Sequence, residues 1–232
     1  LSINYICHLA IYRRSLLQQI GGLREGYDGA QDHDLLLRFL EQTDRIIHIP
    51  KILYRWRRIP GSTADQFAHK HYAWEAGRKA VTEAIQRRGI AGEVILGKYP
   101  GVYRVRRKIR NHPTISIIIP FRDLPTVLKR CLDSILNQTT YPHFEIIGVS
   151  NRSREPATLD LIANYLRRDA RLRFLHDDQP FNFAAINNYA AQQAKGEHLL
   201  LLNNDTEVIH PDWLQGLLEH SQRPEVGAVG AK

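Results

Sequence analysis

The sequence predicts an α/β protein with a Rossmann-like, mostly parallel sheet and helices on both faces. Two observations from residue 114 onward lead to this fold class. Short apolar, often β-branched segments alternate with segments whose apolar residues recur at helical spacing. Several of the apolar segments are followed directly by polar residues. In open α/β sheets, polar residues at the ends of the strands form the ligand-binding edge. Strands separated by helices pair in parallel through crossover connections.

The predicted elements of the 114–232 segment follow one another in a regular order. We predict strands at 115–120, 144–149, 173–175 and 197–202, and helices at 126–137, 157–168 and 182–195. The last strand contains four consecutive leucines, 199–202. A continuous apolar run of this length is typical of a strand buried on both faces.

Residues 1–113 contain two further segments. In residues 1–64 we predict a strand at 8–12, helices at 14–20 and 31–41, and short strands or buried loops at 46–49 and 52–56. Residues 65–113 read as a linker module, with a long helix at 66–88, a hairpin at 93–106 and a basic linker at 104–110.

Composition limits the classes of protein. The 232 residues are 43% hydrophobic, which suffices for one substantial core or two small ones. No apolar run approaches the ~18 residues of a membrane span. Cys7 and Cys131 lie far apart, so a reducing cytoplasm is the simpler location.

The net charge of +8 suits an anionic partner. We expect no nucleic acid, because the basic stretch lacks interleaved aromatic residues and the motifs of nucleic-acid modules. Peripheral association with the inner face of an anionic membrane, or with sugar phosphates, fits better. The chain contains no Met and begins at Leu1, so we expect a fragment of a longer protein.

Asn203-Asn204-Asp205 follows the leucine strand directly. Two amides and a carboxylate at the carboxyl end of a parallel strand suit a divalent cation and the phosphates that it carries. The alternative is an acidic turn, in which Asn and Asp serve only turn geometry.

Pro120-Phe121-Arg122-Asp123 follows the first strand of the sheet and faces the same edge. Asp123 can accept hydrogen bonds from a nucleobase or ribose, and Arg122 can hold phosphate. The compatible alternative is that Asp123 caps the next helix. The sequence lacks the glycine patterns of dinucleotide-binding and phosphate-binding loops.

Several motifs of residues 114–232 resemble, in order, a family 2 glycosyltransferase. They are 114–123, Cys131-Leu132-Asp133-Ser134-Ile135, 181–188, and Gly196-Glu197-His198 with the strand and turn up to Val208. The resemblance implies a GT-A fold that uses a nucleotide-diphosphate sugar and Mg²⁺ or Mn²⁺. It places Asn203 and Asp205 at the metal. The nucleotide-sugar contacts it implies are Pro120, Arg122, Asp123, Ser150, Asn151, Asn182, Asn187 and Asn204.

Two positions depart from the family pattern. Ser150 stands where the second strand usually ends in an acidic residue, and Arg152 stands where glycine is common. Glycine reaches a positive φ at little cost, whereas arginine does not. In the metal motif, Asp205 is the only charged residue.

Residues 21–38 are similar to the acceptor-side motif of the same family. The resemblance makes Asp32 the general base that takes the proton of the acceptor hydroxyl. It makes Asp34 and Trp56 acceptor-binding residues. Alternatives stay open for these two, since a carboxylate suits a helix N-terminus and a tryptophan suits a core.

The resulting hypothesis is an inverting glycosyltransferase that transfers a sugar from a nucleotide-diphosphate sugar to a glycan acceptor during surface polysaccharide biosynthesis. The alternative is a catalytically inactive sugar-nucleotide or glycan-binding module. Family members place the nucleotide part before the acceptor part, whereas this chain has the reverse order. We expect a tandem protein, with the end of one transferase unit at 1–64, a linker at 65–113, and the beginning of a second unit at 114–232. A circular permutation with one composite site is the other explanation.

Overall fold

A computed structural model describes residues 1–6, 9–55 and 71–231. The chain divides into two compact units, Leu1–Lys108 and Ile109–Lys232.

The Leu1–Lys108 unit contains three helices and one hairpin. The helices are α1 (Arg14–Gln19), α2 (Gln31–Phe39) and α3 (His71–Arg87), and the antiparallel hairpin joins β1 (Gly92–Leu96) to β2 (Tyr103–Arg107). The hairpin confirms the pairing expected around residues 97–101. None of the helices within the described ranges combines the length and apolar content of a membrane span.

The core of this unit lies between α2, α3 and the hairpin. Leu37 of α2 packs with Ala80, Ala84 and Ile85 of α3, and with Val105 of β2. Small alanine side chains let α3 approach its neighbours closely, so most of the apolar surface of this long, polar helix is buried on one side.

Several expectations for the first unit were wrong. Residues 104–106 were predicted both in the hairpin and in a basic linker; the hairpin is correct, and β2 continues to Arg107. The apolar residues at 46–49 and 52–55 form neither strands nor buried loops, since Ile47 and Ile52 are almost fully exposed. Residues 9–12 are irregular rather than part of a strand. The expected start of α3 at 66–70 lies outside the described residues.

The Ile109–Lys232 unit is organised around a four-stranded sheet. Its strands are β3 (Ile115–Phe121), β4 (Phe144–Asn151), β5 (Leu172–Asp177) and β6 (His198–Leu201). They lie in the order β5-β4-β3-β6, and every neighbouring pair is parallel. Four helices complete the unit: α4 (Pro125–Gln138), α5 (Pro156–Arg168), α6 (Phe183–Gln193) and α7 (Trp213–Ser221).

Helices cover both faces of this sheet. Ile117 and Ile119 of β3 belong to a core that α4, α5 and α7 complete, whereas Ile118 packs with α6 through Ile186 and Ala190. The alternation follows from the two-residue period of a strand. The predicted Rossmann-like fold class, with its parallel sheet and helices on both faces, is therefore confirmed.

The leucine strand differs from its prediction of burial on both faces. Leu199 and Leu201 are 50% and 54% exposed, whereas Leu200 and Leu202 pack into the core. The reason is the position of β6 at the edge of the sheet within the described residues, where α6 packs over β3 and β4 instead. Leucine content alone does not distinguish an edge strand from a central one.

Gly148 of β4 lies where two aromatic rings meet. Phe121 and Phe174 pack edge to face, with ring centroids 6.0 Å apart. A Cβ at Gly148 would lie 2.6 Å from atoms of the Phe174 ring and 3.2 Å from the Phe121 ring. We expect Gly148→Ala to lower the free energy of unfolding by about 1–3 kcal/mol, since overpacking forces neighbours to move.

Urea denaturation checks this prediction, and Gly227→Ala is the matched control. A Cβ at Gly227 would meet no atom within 4 Å. Equal midpoints for the two variants would contradict the packing argument.

Candidate functional site

The candidate site lies along the carboxyl edge of the four-stranded sheet. Because the strands are parallel, the segments that follow β3, β4 and β6 and the start of α6 after β5 all begin at this edge. Within the Ile109–Lys232 unit, the sequence-predicted residues Pro120, Arg122, Asp123, Ser150, Asn151, Asn182, Asn203, Asn204 and Asp205 belong to the ends of these strands or to the segments after them.

Asp123 ties two loops of this edge together. Its Oδ1 accepts hydrogen bonds from the backbone N–H groups of Arg154 (2.8 Å) and Glu155 (2.9 Å), and its own N–H donates to Ser153 Oγ (3.0 Å). The Glu155 N–H, aided by that of Arg154, holds the pKa of Asp123 below its ordinary value. Asp123 therefore holds the entry to α5.

The expected role of Asp123 as the cap of the next helix was wrong. The N-cap of α4 is Leu124, which makes no side-chain capping bond. The carboxylate instead reaches the segment before α5, about thirty residues later. Oδ2 of Asp123 accepts no hydrogen bond from the described residues, so it is available to a ligand hydroxyl or N–H.

Three non-glycine residues with left-handed backbone lie at this edge. Asp123, Leu124 and Arg152 have φ values of 49°, 57° and 59°. Such a conformation costs an L-residue roughly 1–2 kcal/mol, and strain of this kind tends to collect where a loop is shaped for a ligand. Arg152 thus adopts a left-handed conformation that glycine reaches more easily. Its N–H and Nε donate to the carbonyl oxygens of Asp177 (3.1 Å) and Asp178 (2.9 Å).

Asn151 secures the turn after β5. Ser150 and Asn151 are both buried. Nδ2 of Asn151 donates to Asp177 Oδ2 (2.8 Å) and to the carbonyl oxygen of Gln179 (2.9 Å). Asp177, which sequence reasoning missed, therefore brings a carboxylate to the edge beside β4. Its place at the end of a short strand, before a second aspartate, was the available signal.

The first turns of α6 contain the two asparagines predicted to contact the nucleotide sugar. Asn182 is the N-cap, and its side chain accepts a hydrogen bond from the Ala185 N–H (3.1 Å). Asn187 is buried and its Nδ2 donates to the Phe183 carbonyl (2.7 Å). Oδ1 of Asn187 is buried without a partner among the described residues. A buried acceptor of this kind is costly unless a donor reaches it.

The turn after β6 presents hard oxygen ligands. Asn203 and Asp205 are exposed, and Asn204 is half-buried. A hydrogen bond within the turn stabilises it, because the Asn203 carbonyl accepts from Thr206 Oγ1 (2.8 Å). The Asp205 carboxylate forms no hydrogen bond or ion pair with the described residues. Carboxylate and amide oxygens match the preferences of Mg²⁺ and Mn²⁺.

These ligands alone are few. Within residues 1–6, 9–55 and 71–231, no group of three or more His, Cys, Asp or Glu side chains is placed to hold a metal ion. A cation held by Asn203 and Asp205 would need further ligands, and Mg²⁺ commonly takes such ligands from substrate phosphates.

Asp32 lies in the first turn of α2 and is half-buried. Its Oδ1 accepts the backbone N–H of His33 (2.9 Å), and its Oδ2 accepts Nδ2 of Asn4 (3.0 Å). The neighbouring His33 is buried, and this burial lowers the pKa of its imidazole to about 4. His33 is therefore neutral at physiological pH and adds no positive charge beside Asp32.

Asp34 has a different environment, because it is fully buried. Its carboxylate accepts hydrogen bonds from Arg24 and Arg38. Arg38 also donates to the carbonyl oxygens of Ile20 and Gly22, both at 2.7 Å, so that it clamps the turn after α1. Burial alone would raise the pKa of Asp34, but the two arginines hold it below its ordinary value.

Glu83 of α3 extends this ionic network. It accepts a hydrogen bond from Arg24 (2.8 Å) and one from the Tyr27 hydroxyl (2.6 Å). Burial, reinforced by the hydrogen bond to Glu83, raises the pKa of Tyr27 to about 12. The predicted contact of Asp34 with an acceptor stays a prediction, and it is one that this burial and pairing disfavour. Trp56, the other predicted acceptor contact, lies outside the described residues.

Solved glycosyltransferase structures resemble part of the chain. One is the mannosyltransferase PcManGT from Pyrobaculum calidifontis in complex with GDP-Man and Mn²⁺, with 20% identity and a TM-score of 0.48, covering 52% of this chain and 35% of that one. Another is S. aureus TarS in complex with UDP-GlcNAc, with 23% identity and a TM-score of 0.40, covering 47% of this chain and 31% of that one.

Two relatives match over almost the whole chain. The O-antigen biosynthesis protein RfbC of Myxococcus xanthus is 49% identical over 231 residues, which are 100% of this chain and 18% of RfbC. An uncharacterized protein of Sinorhizobium fredii is 46% identical over 233 residues, covering 99% of this chain and 26% of that protein. The chain thus spans only about a fifth to a quarter of these relatives.

The family model described as Glycosyl transferase family 2 matches residues 116–232, which begin within β3 and include every strand and helix of the parallel sheet. The motifs recognised in the sequence and the observed fold agree with this match. The chain therefore belongs to glycosyl transferase family 2.

Proposed function

We propose that this chain serves the inverting transfer of a sugar from a nucleotide-diphosphate sugar to a glycan acceptor, during the biosynthesis of a surface polysaccharide. The observation that carries the proposal is the exposed carboxylate of Asp205, which has no partner among the described residues, at the carboxyl edge of a parallel sheet. Family membership supports the reaction type. The similarity to RfbC, an O-antigen biosynthesis protein, supports a surface polysaccharide as the product.

In this proposal the carboxyl edge binds the donor of the transferase unit that begins at residue 114. Asp205 and Asn203 hold Mg²⁺ or Mn²⁺ together with the diphosphate. When bound, the cation offsets the negative charge that develops on the leaving diphosphate. Oδ2 of Asp123 accepts a hydrogen bond from the nucleoside, and the exposed Arg122 pairs with phosphate. Pro120, Ser150, Asn151, Asn182, Asn187 and Asn204 complete the nucleotide-sugar contacts.

In the tandem arrangement proposed below, Asp32 is the general base of the transferase unit that residues 1–64 end, and the acceptor of that unit reacts there. The acceptor oxygen forms a bond to the anomeric carbon as the bond from that carbon to the diphosphate oxygen breaks. Asp32 takes the hydroxyl proton, and the nucleoside diphosphate leaves with the bonding electron pair. Attack opposite the leaving group inverts the anomeric configuration.

We further propose the tandem arrangement. In it, residues 1–64 form the end of one transferase unit, residues 65–113 form a linker, and residues 114–232 form the beginning of a second unit. The ionic network of Asp34, Arg24 and Glu83 supports close packing of the linker helix with the first segment. We place the reaction in the cytoplasm, with the basic residues of β2 and the segment after it favouring an anionic membrane surface.

Titration calorimetry of the intact protein with a panel of nucleotide-diphosphate sugars, with and without Mn²⁺, tests the donor site. We expect donor binding that depends on Mn²⁺ and that Asp205→Ala weakens at least about 10-fold. Removing even a residue that only hydrogen-bonds to a metal ligand typically lowers metal affinity 10- to 100-fold. Glu207→Ala is the matched control, because Glu207 is an exposed carboxylate two residues further along the same segment.

Two outcomes would count against the proposal. Donor binding that is unchanged by a chelator and by Asp205→Ala would favour the inactive binding module. Equal losses in Asp205→Ala and Glu207→Ala would indicate a general electrostatic effect rather than a ligand role.

A further inference from the structure

Two donors from different parts of the chain hold the carboxylate of Asp32. The backbone N–H of His33 reaches Oδ1, and the side-chain amide of Asn4 reaches Oδ2. The first donor is local and comes with the start of α2. The second comes from 28 residues earlier in the chain. A hydrogen bond to each of the two oxygens restricts rotation of the carboxylate about its bond to the side chain more than either bond would alone.

The segment that contains Asn4 is itself anchored on β2. The Ser2 carbonyl accepts a hydrogen bond from the Tyr103 N–H (2.8 Å), and Ile3 forms an antiparallel bridge with Val102. Asn4 follows directly and is half-buried. Its amide is therefore presented from a backbone that is paired immediately before it.

The same strand also supports Asp32 from the side of α2. The ring of His33 packs against the ring of Tyr103, with centroids 5.7 Å apart. Both rings belong to buried residues. Tyr103 thus contacts the Asn4 segment through its backbone and the neighbour of Asp32 through its side chain, so the two donors share one support.

A neutral amide suits the neighbour of a general base. Each carboxylate oxygen has two lone pairs, so one hydrogen bond to each leaves acceptor capacity for an incoming hydroxyl. A lysine or arginine at this position would favour the charged carboxylate further and weaken it as a base. An amide fixes orientation without adding a formal charge.

We propose that Asn4 is a positioning residue, whose side-chain amide holds the carboxylate of Asp32 in the orientation that accepts the proton of the acceptor hydroxyl. The inference rests on the proposed function, in which Asp32 is the general base. In this inference Asn4 acts through Asp32 rather than by binding a substrate itself.

Steady-state kinetics of the intact protein tests this role. We expect Asn4→Leu to lower kcat about 10- to 100-fold, because displacing a reacting group by about 1 Å has an effect of this size. The KM for the nucleotide sugar and the thermal midpoint should stay unchanged. Asn4→Asp keeps the shape but removes the donor and adds a negative charge beside Asp32, so it should lower kcat as well. This variant serves if the leucine variant fails to fold.

Gln19→Leu is the matched control. Its amide also donates to a side chain within the same unit, to Gln42 Oε1 at 3.1 Å, and it is exposed. This variant should keep the kcat of the parent protein.

The outcomes separate the inference from the function on which it rests. If Asp32→Asn removes activity while both Asn4 variants keep the parent kcat, the positioning role of Asn4 is wrong, whereas the assignment of Asp32 as general base stands. If kcat, KM and the thermal midpoint change together in the Asn4 variants, Asn4 is merely structural and the inference is overturned. If Asp32→Asn retains full kcat, the base assignment fails and the positioning role fails with it.

Discussion

Replacing Asp34 with alanine is expected to destabilise the Leu1–Lys108 unit by about 3–5 kcal/mol, the usual cost of removing one partner from a buried ion pair. The side chain of Arg38 is only 8% exposed and would lose its charged partner. Arg24 would keep its ion pair with Glu83. Because Arg24 is more exposed than Arg38, losing Asp34 would cost it less free energy. Urea denaturation measures the change in the free energy of unfolding.

Asp28→Ala is the matched control for this prediction, since Asp28 is an exposed aspartate in the turn before α2. Its free energy of unfolding should stay within about 0.5 kcal/mol of the parent, as for most surface substitutions. A loss for Asp34→Ala no larger than that of Asp28→Ala would show that the network contributes little.

The same network predicts how stability depends on pH. The pKa of Asp34 is lower in the folded protein than in the unfolded chain, where it is about 3.9. The contribution of its charge is therefore complete above about pH 5 and is lost as the pH falls through the lower folded pKa. In an Asp34→Asn variant this component of the acid-induced loss of stability should disappear.

Asp32→Asn is expected to lower the rate of sugar transfer about 10²- to 10⁴-fold, which is the contribution of a positioned general base. The amide keeps the size of the side chain but does not take the hydroxyl proton. Donor binding to the 114–232 segment should persist, because in the tandem arrangement that segment belongs to a different transferase unit from Asp32. Product formation under single-turnover conditions measures the effect.

Asp28→Asn is the control for the chemistry as well, being an exposed aspartate four residues away. It should transfer sugar at the parent rate. A parent-like rate for Asp32→Asn would show that Asp32 is not the general base, and the other carboxylates of the first unit would then be tested.

Most of the parallel sheet was predictable from residues 114–232 because the signals are local. β-branched runs such as Ile117 to Ile119 and amphipathic helices such as α4 determine their own secondary structure through burial of apolar side chains. The leucine run that forms β6 shows the limit of this reasoning. Its composition resembles a central strand, but burial depends on which elements pack over it, and α6 lies elsewhere.

The basic run at 104–110 shows a second limit. Charge suggested an extended linker, yet residues 104–107 form β2, where Tyr103 and Val105 face the core and Arg104 faces solvent. The hairpin predicted at 93–106 already included most of this strand, so the linker prediction fails where it overlaps the hairpin and at Arg107.

Polar residues were predictable in type but not in partner. The motifs identified Asp123, Asp32 and Asp34 as residues of interest, yet their hydrogen bonds separate them. Asp123 holds the entry to α5, Asp34 is enclosed by two arginines, and Asp32 meets the amide of Asn4. No periodicity in the sequence encodes pairs that lie 10 to 31 residues apart.

The sequence by itself determined the alternation of strands and helices, the family and the residue types at the carboxyl edge, because each follows from short-range patterns of apolar and polar side chains. Only the tertiary structure decided which of these polar groups are already engaged. Asp34 is occupied because burying a charge requires partners, whereas Asp205 is left unpaired in an exposed turn among the described residues. That difference in burial separates a carboxylate that stabilises the fold from one available to a ligand.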